Sequence, residues 1–348
     1  MTGWIGTARL LIMRRFQEQS AVRRVPTVAG VTQVAAVAAS LGLVGASLTG
    51  CASGTSTSAT SATSHTAVST PATTASATST PSADASTDTG NPTAFAQLES
   101  RYHAQLGVYA LDTGSGRSVA FQADQRFAFC STIKALVAGE LLRRETDAQL
   151  DQTVTYTAAD LVDYSPVTSQ HVKDGMSLTA VMTAAIEVSD NTALNLMLKQ
   201  LGGPATMQAA LRGLNDTTTN TDRTEPTVNS ALPGDVRDTS SPRAMAENLR
   251  TYVLGDALTP QRRAMLTSWL SANTTGGQYI RAGVPAGWKV GDKTGSGDYG
   301  TRSDIAVVWP PQRAPIVIAV LSHRDGKDAN SADNLIADAT KVALQRLG

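Results

Sequence analysis

Cysteine and histidine are scarce in this chain, and their scarcity limits the metal and redox chemistry open to it. Its 348 residues include only two cysteines and four histidines, at Cys51, Cys130, His65, His103, His171 and His323. Their spacing does not resemble that of a zinc site. We therefore expect neither a metal nor any other cofactor.

An excess of charge of either sign is also missing. The 29 lysine and arginine residues balance the 29 aspartate and glutamate residues, so no global field favours nucleic acid or an acidic membrane surface. A hydrophobic content of 41% permits a sizeable core. We expect a monomer that binds a small neutral or weakly charged molecule and no nucleic acid.

Charge is absent altogether between residues 25 and 50. The basic segment before this stretch contains Arg14, Arg15, Arg23 and Arg24. A basic segment followed by an uncharged one predicts a signal peptide over residues 1–50.

The ending LTGC, Leu48 to Cys51, resembles the lipobox of bacterial lipoproteins, which implies that Cys51 is lipidated. A retained transmembrane helix is the alternative, because the run is long enough to span a bilayer. The general secretory and twin-arginine export routes both stay open.

Large apolar residues are nearly missing from residues 51–91, which are mostly Ser, Thr and Ala with scattered Pro. Such a composition cannot offset the entropy lost on ordering, so it predicts a disordered tether. With a lipid on Cys51, the tether would hold a globular domain in the cell envelope. We therefore expect an exported protein that contacts the membrane only through its lipid anchor.

Residues 92–348 predict a single α/β domain of the α+β kind. Helical patterns occupy 93–104, 131–142, 177–188, 191–201, 241–254, 259–272 and 330–347. Strand patterns occupy 106–114, 118–124, 288–295, 303–310 and 314–323. Strands at both ends and helices in the middle predict an antiparallel sheet flanked by helices, with a mostly helical second subdomain. A cleft between these two parts is the natural place for a ligand.

A serine and a lysine three residues apart open the apolar helical run that follows residue 130. Ser131 and Lys134 would lie on one helix face, which sets a hydroxyl beside an amine. Such a pair provides a nucleophile with an adjacent base. The structural alternative is that Ser131 caps the helix and Lys134 is a solvated residue of its first turn.

Two further short motifs follow in the chain. Residues 189–191 read Ser-Asp-Asn, with a second hydroxyl at Ser189 and an amide at Asn191. Residues 293–295 read Lys-Thr-Gly at a predicted strand end. The structural alternatives are a capping turn and an edge strand protected by a lysine. If Lys293 lies near Lys134, their mutual repulsion would lower the pKa of the amine and make it able to accept a proton.

The three motifs, in this order, resemble the signature of class A β-lactamases and penicillin-binding proteins. The resemblance covers residues 92–348 and implies the fold of that superfamily and a serine acyl-enzyme. The segment DRTEPTVN, 222–229, resembles the omega loop of class A serine β-lactamases. This loop implies that Glu225 is the general base for a hydrolytic water and that Asn229 orients this water. It also implies a salt bridge between Arg223 and Asp238 and a cis peptide before Pro226.

The resemblance assigns roles to the remaining motif positions. Ser131 would be the nucleophile, Lys134 a base and proton relay, and Ser189 the proton shuttle to the leaving nitrogen. Backbone N–H groups of Ser131 and Ser296 would form the oxyanion hole. The substrate-binding residues would be Asn191, Tyr164, Lys293, Thr294, Gly295, Ser296 and Arg302, of which Lys293, Thr294 and Arg302 would bind a carboxylate. Whether Lys134 or Glu225 is the acylation base stays open.

Hydrolysis of the β-lactam ring of penicillins and cephalosporins, which confers antibiotic resistance, is thus the expected function. A D-alanyl-D-alanine carboxypeptidase or other penicillin-binding enzyme is the alternative, and a non-catalytic penicillin sensor is a third.

Some carbapenem-hydrolysing relatives pair a cysteine at the place of Cys130 with another just beyond the Lys-Thr-Gly motif. Here the sequence GSGDYG, 295–300, has none, so we expect Cys130 to be free and buried. Ser296 and Asp298 resemble residues of cephalosporin-active members.

Overall fold

The computed structural model describes residues 87–88 and 92–348 of the chain. The predicted signal peptide, Cys51 and nearly all of the predicted tether lie outside the described residues. Two tether residues, Thr87 and Asp88, form a short strand at the edge of the main sheet. Among the described residues, no helix has both the length and the apolar composition needed to cross a membrane.

The main sheet has its strands in the order β1-β3-β2-β10-β9-β8, antiparallel except where β1 runs parallel to β3. Its strands are β1 (Thr87–Asp88), β2 (Gln105–Asp112), β3 (Ser118–Phe121), β8 (Lys289–Gly297), β9 (Thr301–Trp309) and β10 (Ile316–His323). Two short antiparallel pairs complete the strands, β4 (Phe127–Ala128) with β7 (Thr239–Ser240) and β5 (Thr153–Val154) with β6 (Met176–Ser177). The predicted antiparallel sheet is confirmed.

Helices pack on both faces of this sheet and fill the second subdomain. They are α1 (Thr93–Tyr102), α2 (Ile133–Arg144), α3 (Asp147–Asp151), α4 (Leu178–Glu187), α5 (Asn191–Leu201), α6 (Pro204–Gly213), α7 (Pro242–Val253), α8 (Pro260–Ala272), α9 (Ile280–Gly283) and α10 (Asp333–Leu347). Every helix predicted from the sequence is present. Helices α3, α6 and α9 were not predicted.

Helix α6 escaped prediction because its start looks like a loop. Gly202 and Gly203 both have left-handed φ values, 101° and 96°, and separate α5 from α6. The following Pro204 is the first helical residue, a position where its missing N–H group is harmless. The same Gly-Gly-Pro sequence is typical of turns, so it does not mark the start of a helix.

Alternate residues of β10 face two different hydrophobic cores. Ile318 and Val320 pack in the core beneath α1 and α10. Ala319 and Leu321 pack in the core shared with α2, α4, α5 and α7. Because both faces of the strand are buried, its sequence is a nearly continuous apolar run rather than an alternating one.

Helix α2 runs through the middle of the helical subdomain. All ten residues from Ile133 to Leu142 are buried. A helix buried on all sides shows no amphipathic pattern. Its burial fixes the position of its N-terminus, which carries the Ser131 turn, relative to the sheet.

Close packing around α2 predicts a stability difference between two glycine substitutions. A Cβ atom at Gly139 would lie 2.6 Å from Cγ of the fully buried Tyr252. We expect Gly139→Ala to lower the free energy of unfolding by about 1–3 kcal/mol, the usual cost of overpacking a core. Urea denaturation of the purified protein measures this loss.

Gly213→Ala is the matched control, because Gly213 ends helix α6 and a Cβ there meets no described atom within 4 Å beyond its chain neighbours and its own helix backbone. This variant should be as stable as the wild type or slightly more stable. Equal stabilities for the two variants would contradict the packing argument.

Candidate active site

The sequence motifs converge on one cavity between the sheet and the helical subdomain. Ser131 lies in the 3-10 turn Cys130–Thr132 that leads into α2, Ser189 lies between α4 and α5, and Lys293 lies on β8. The cavity has a volume of about 320 Å³. Its lining residues are Ser131, Tyr164, Ser189, Asn191, Asn229, Thr275, Tyr279, Thr294, Gly295, Ser296 and Arg302.

Lys134 is the centre of the hydrogen-bond network below the cavity. Its Nζ lies 2.8 Å from Ser131 Oγ, 2.8 Å from the carbonyl of Ser189 and 2.7 Å from Asn191 Oδ1. Glu225 Oε1 is 3.1 Å away. The side chain of Lys134 is fully buried, which excludes the solvated first-turn alternative. The N-cap residue of α2 is Thr132 and not Ser131, whose hydroxyl donates to Glu225 instead, so the capping alternative for Ser131 is excluded as well.

The pKa of Lys134 is lowered, mainly by burial, while the adjacent Glu225 carboxylate opposes this effect. The sequence had predicted repulsion from Lys293 as the cause. That repulsion is visible instead at Lys293, whose pKa is lowered to about 7 by burial and then by Lys134. Ser189 Oγ lies between the two amines, 3.3 Å from Lys134 Nζ and 3.0 Å from Lys293 Nζ.

Glu225 connects the loop before α7 to the serine turn. Its Oε1 accepts a hydrogen bond of 3.3 Å from Ser131 Oγ, and its Oε2 accepts one from Asn229 Nδ2. Within the described residues, the buried Asn229 Oδ1 has no hydrogen-bond partner. Glu225 itself is 3% exposed, so its charge is held by Lys134, Ser131 and Asn229 rather than by solvent.

Arg223 and Asp238 close the loop that carries Glu225. Arg223 Nε donates to Asp238 Oδ2, and the backbone N–H groups of Asp222 and Arg223 donate to Asp238 Oδ1. The structure thus contains the ion pair predicted from the resemblance. The Glu225–Pro226 peptide is cis, also as predicted.

Asn195 is a contact of this loop that sequence reasoning missed. It lies on α5, accepts a hydrogen bond of 2.8 Å from the backbone N–H of Glu225 and donates one of 3.0 Å to the Glu225 carbonyl. Both backbone groups of Glu225 are therefore held by one amide. The only sequence signal was an asparagine within an apolar helical run, which does not specify a partner 30 residues away.

The remaining predicted substrate-binding residues differ in their exposure and in their contacts with the rest of the protein. Tyr164 stands at the mouth of the cavity, 61% exposed. Asn191 Nδ2 donates to the carbonyl of Asp163. A Cβ at Gly295 would lie 2.6 Å from the carbonyl of Phe129, which explains glycine at this point of β8. Ser296 and Thr294 line the cavity on either side of Gly295.

Arg302 lines the cavity from β9, but its guanidinium already has protein partners. Its Nε donates to Asp333 Oδ1 at 2.9 Å and its Nη2 to Ser331 Oγ at 2.7 Å. The guanidinium carbon also lies 5.1 Å from the centre of the Tyr279 ring. No sequence pattern indicated these partners, which lie in the last quarter of the chain.

Three residues at or next to the cavity have a strained backbone. Cys130, Tyr164 and Ser189 have φ values of 48°, 62° and 61°, in the left-handed region that non-glycine residues rarely adopt. Strain of this kind costs about 1–3 kcal/mol per residue and persists where the surrounding structure imposes it. Cys130 is a free, buried cysteine, as predicted, and burial raises the pKa of its thiol.

Chemically, this arrangement offers an alcohol beside an amine and a carboxylate, with a second alcohol between two amines. Such a set suits nucleophilic attack by Ser131 with proton transfer to a neighbouring base. In the part of the chain that the structure describes, no group of three or more His, Cys, Asp or Glu side chains is placed to hold a metal ion.

Comparison with known proteins identifies the family. A family model described as "Beta-lactamase enzyme family" matches residues 93–347. The chain belongs to the β-lactamase enzyme family. A β-lactamase of Amycolatopsis lactamdurans is 58% identical over 254 residues, which cover 73% of this chain and 84% of that protein. β-Lactamase 3 of Bacillus cereus is 51% identical over 254 residues, covering 73% of this chain and 80% of that protein.

Solved structures agree with this family membership. A class A β-lactamase from Clostridium kluyveri superposes with a TM-score of 0.73 at 46% identity, covering 74% of this chain and 98% of that one. A halotolerant bacterial β-lactamase gives a TM-score of 0.72 at 50% identity, covering 73% of this chain and 98% of that one. The α+β architecture of this family member is thus the class A β-lactamase fold.

Proposed function

We propose that this chain hydrolyses the β-lactam ring of penicillins and cephalosporins through an acyl-enzyme on Ser131, and so confers antibiotic resistance. The observation that carries the proposal is the position of Glu225, whose carboxylate touches both Ser131 and Asn229. An enzyme that penicillin leaves acylated needs no base to hydrolyse the penicillin-derived ester. Glu225 therefore favours a hydrolase over a carboxypeptidase that penicillin inhibits.

In acylation, Ser131 Oγ attacks the β-lactam carbonyl carbon and loses its proton to a neighbouring base. Glu225 Oε1 at 3.3 Å can accept this proton directly. Lys134 Nζ at 2.8 Å can accept it only as the neutral amine, a form that the lowered pKa of Lys134 makes easier to reach. Backbone N–H groups of Ser131 and Ser296 stabilise the oxyanion. As the carbon–nitrogen bond of the ring breaks, Ser189 donates its proton to the nitrogen and recovers one from Lys134 or Lys293.

In deacylation, a water molecule attacks the ester carbonyl carbon, and Glu225 takes one proton from this water. The bond between this carbon and Ser131 Oγ then breaks, and Ser131 Oγ receives the proton that Glu225 has taken from the water. Asn229 Oδ1, a buried acceptor that has no partner among the residues that the structure describes, accepts a hydrogen bond from the water. The Arg223–Asp238 pair and Asn195 hold the loop at the distance that this step requires. These residues act by positioning Glu225.

Substrate binding falls to the rim of the cavity. Lys293, Thr294 and Arg302 attract the carboxylate of the substrate, with Gly295 allowing β8 to approach closely. Asn191 contacts the amide side chain and Tyr164 covers the cavity mouth. Lys293 attracts the carboxylate by its positive charge from below the cavity and not by a direct hydrogen bond, because its buried Nζ donates to Ser189 Oγ and the Thr294 carbonyl.

The proposal extends to the N-terminal region. We propose that residues 1–50 direct export, that Cys51 is lipidated, that residues 51–91 form a tether, and that residues 92–348 act as a monomer in the cell envelope. The uncharged run before Cys51 and the Ser/Thr/Ala-rich composition after it support these assignments.

Two variants separate the two chemical steps. Ser131→Ala removes the nucleophile and should abolish both turnover of a chromogenic cephalosporin and covalent labelling by penicillin. Glu225→Gln keeps the shape of the side chain but removes the base, so the acyl-enzyme should accumulate and appear by mass spectrometry as protein plus one penicillin. Glu187→Gln, at a carboxylate outside the cavity, is the control and should turn over normally. A single stoichiometric burst from the wild type would instead support the penicillin-inhibited alternative.

The pKa of Lys293, lowered to about 7, predicts a pH dependence. Its ammonium form is lost as the pH rises through this value, and with it the attraction for an anionic substrate. We expect kcat/KM, which reports the free enzyme, to fall as the pH rises above about 7. Lys293→Arg keeps its charge throughout and should lose this fall. A wild-type profile that stays flat to high pH would contradict the role of Lys293.

Lipidation of Cys51 is tested in an exporting bacterial host. Cys51→Ser should release active enzyme from the membrane fraction into the medium, whereas Cys130→Ser, a buried position in the fold, should leave the enzyme in the membrane fraction. Mass spectrometry of the wild-type N-terminus should show a lipid on Cys51. An unmodified cysteine would contradict this proposal and leave the hydrolytic one intact.

A further inference from the structure

Thr275 and Thr294 form a pair of hydroxyls at the wall of the cavity. Thr275 lies in loop 273–279 between α8 and α9, and Thr294 lies on β8. Their Oγ1 atoms are 2.6 Å apart. Thr294 belongs to a sequence motif, whereas no motif includes Thr275.

Asn273 fixes the direction of the hydrogen bonds around Thr275. The backbone N–H of Thr275 donates to Asn273 Oδ1 at 3.0 Å, which identifies that amide atom as the oxygen. Asn273 Nδ2 therefore faces the buried carboxylate of Asp292, to which it donates at 2.7 Å. Arg281 donates to the other oxygen of Asp292. Asn273 Oδ1 is thus an obligatory acceptor.

This order determines where the two hydroxyl protons point. Thr275 Oγ1 lies 2.8 Å from Asn273 Oδ1 and must donate to it, because that oxygen has no proton to give. Thr275 then accepts the proton of Thr294 across the 2.6 Å contact. In the free protein both hydroxyl protons are directed away from the cavity.

An anion in the cavity can reverse this order without leaving a buried acceptor unpaired. Thr294 can turn its proton to the anion, and Thr275 can turn its own proton to Thr294 or to the anion. Asn273 Oδ1 still keeps the backbone N–H of Thr275. An unpaired buried acceptor would oppose the change, and this arrangement avoids it.

Arg302 offers less to an incoming anion than its charge suggests. Its Nε and Nη2 donate to Asp333 and Ser331, and the Asp333 carboxylate offsets its charge. The acceptors of the two threonine hydroxyls, by contrast, are uncharged. Exchanging an uncharged acceptor for an anion gains energy, because hydrogen bonds to charged groups are the stronger ones.

We propose that Thr275 is a specificity-determining residue that, together with Thr294, donates hydrogen bonds to the carboxylate beside the ring nitrogen of the substrate. The inference rests on the proposed β-lactam hydrolysis and deepens it. It predicts that the hydroxyl of Thr275 matters only for substrates that carry this carboxylate.

The test compares one cephalosporin as its free acid with the same cephalosporin as its methyl ester. Thr275→Val removes the hydroxyl and keeps the branched shape, so kcat/KM for the free acid should fall about ten-fold, as expected for a lost hydrogen bond to a charged group. The value for the ester should change less than about two-fold, since the ester has no charge to bind. Thr275→Ser should restore most of the loss.

Thr274→Val is the matched control. This neighbouring threonine is exposed and its hydroxyl donates to the Glu187 carbonyl at 2.8 Å, outside the cavity. It should leave kcat/KM unchanged for both acid and ester. Equal losses for acid and ester in Thr275→Val, or no loss for either, would overturn the inference.

The wild type separates this inference from the proposed function. If it acylates but does not turn over, hydrolysis is wrong, and the rate at which each compound adds mass to Ser131 replaces kcat/KM in the same comparison. The acid-to-ester ratio then still decides the role of Thr275. A wild type that neither turns over nor is acylated would overturn both proposals.

Discussion

The site depends on a lysine ammonium buried without access to water. Lys134 is fully buried, and its charge is balanced by Glu225 and solvated by Ser131, Ser189 and Asn191. Removing one partner of a buried charge is strongly destabilising, because the other charge is left uncompensated. These five residues come from three separate segments of the chain, so the charge of Lys134 acts as a constraint on how the segments meet. Burial also lowers its pKa, which brings the amine closer to a form able to accept a proton.

The fold supplies this constraint through rigid elements on both sides of the cavity. Helix α2 is buried throughout, and β8 approaches its N-terminus so closely that Gly295 leaves no room for a side chain. The loop that carries Glu225 is held by the Arg223–Asp238 pair at its base and by Asn195 at its tip. Strained residues such as Cys130 and Ser189 lie between these elements. Their strain is offset by the two hydrophobic cores, which is the usual balance at sites shaped for function.

Much of this arrangement could be predicted from the sequence, and the exceptions share a physical cause. The strands β8, β9 and β10 and the helices with clear caps follow from local patterns, and the motif residues Ser131, Ser189 and Lys293 meet as their resemblance implied. Helix α6 was missed because Gly-Gly-Pro is ambiguous between a turn and a helix start. The contacts of Asn195, the partners of Arg302 and the hydroxyl of Thr275 were missed because each depends on a residue remote in the chain or on hydrogen-bond direction. Neither a contact with a remote residue nor the direction of a hydrogen bond leaves a periodic signal in the sequence.

Charge balance around the cavity also explains why an anionic ligand suits it. The Lys134 ammonium is paired with Glu225. Lys293 instead faces Lys134, and the Asp292 carboxylate only partly stabilises the charged form of Lys293. Burial, and after it the repulsion from Lys134, lowers the pKa of Lys293 to about 7 in the free protein. A carboxylate bound at the Thr275–Thr294 pair would supply the missing negative charge and raise this pKa, and by linkage a protonated Lys293 would bind the carboxylate more tightly. The anion is then part of the electrostatic structure of the site: Lys293 and the two hydroxyls reach their most favourable arrangement only when it is present.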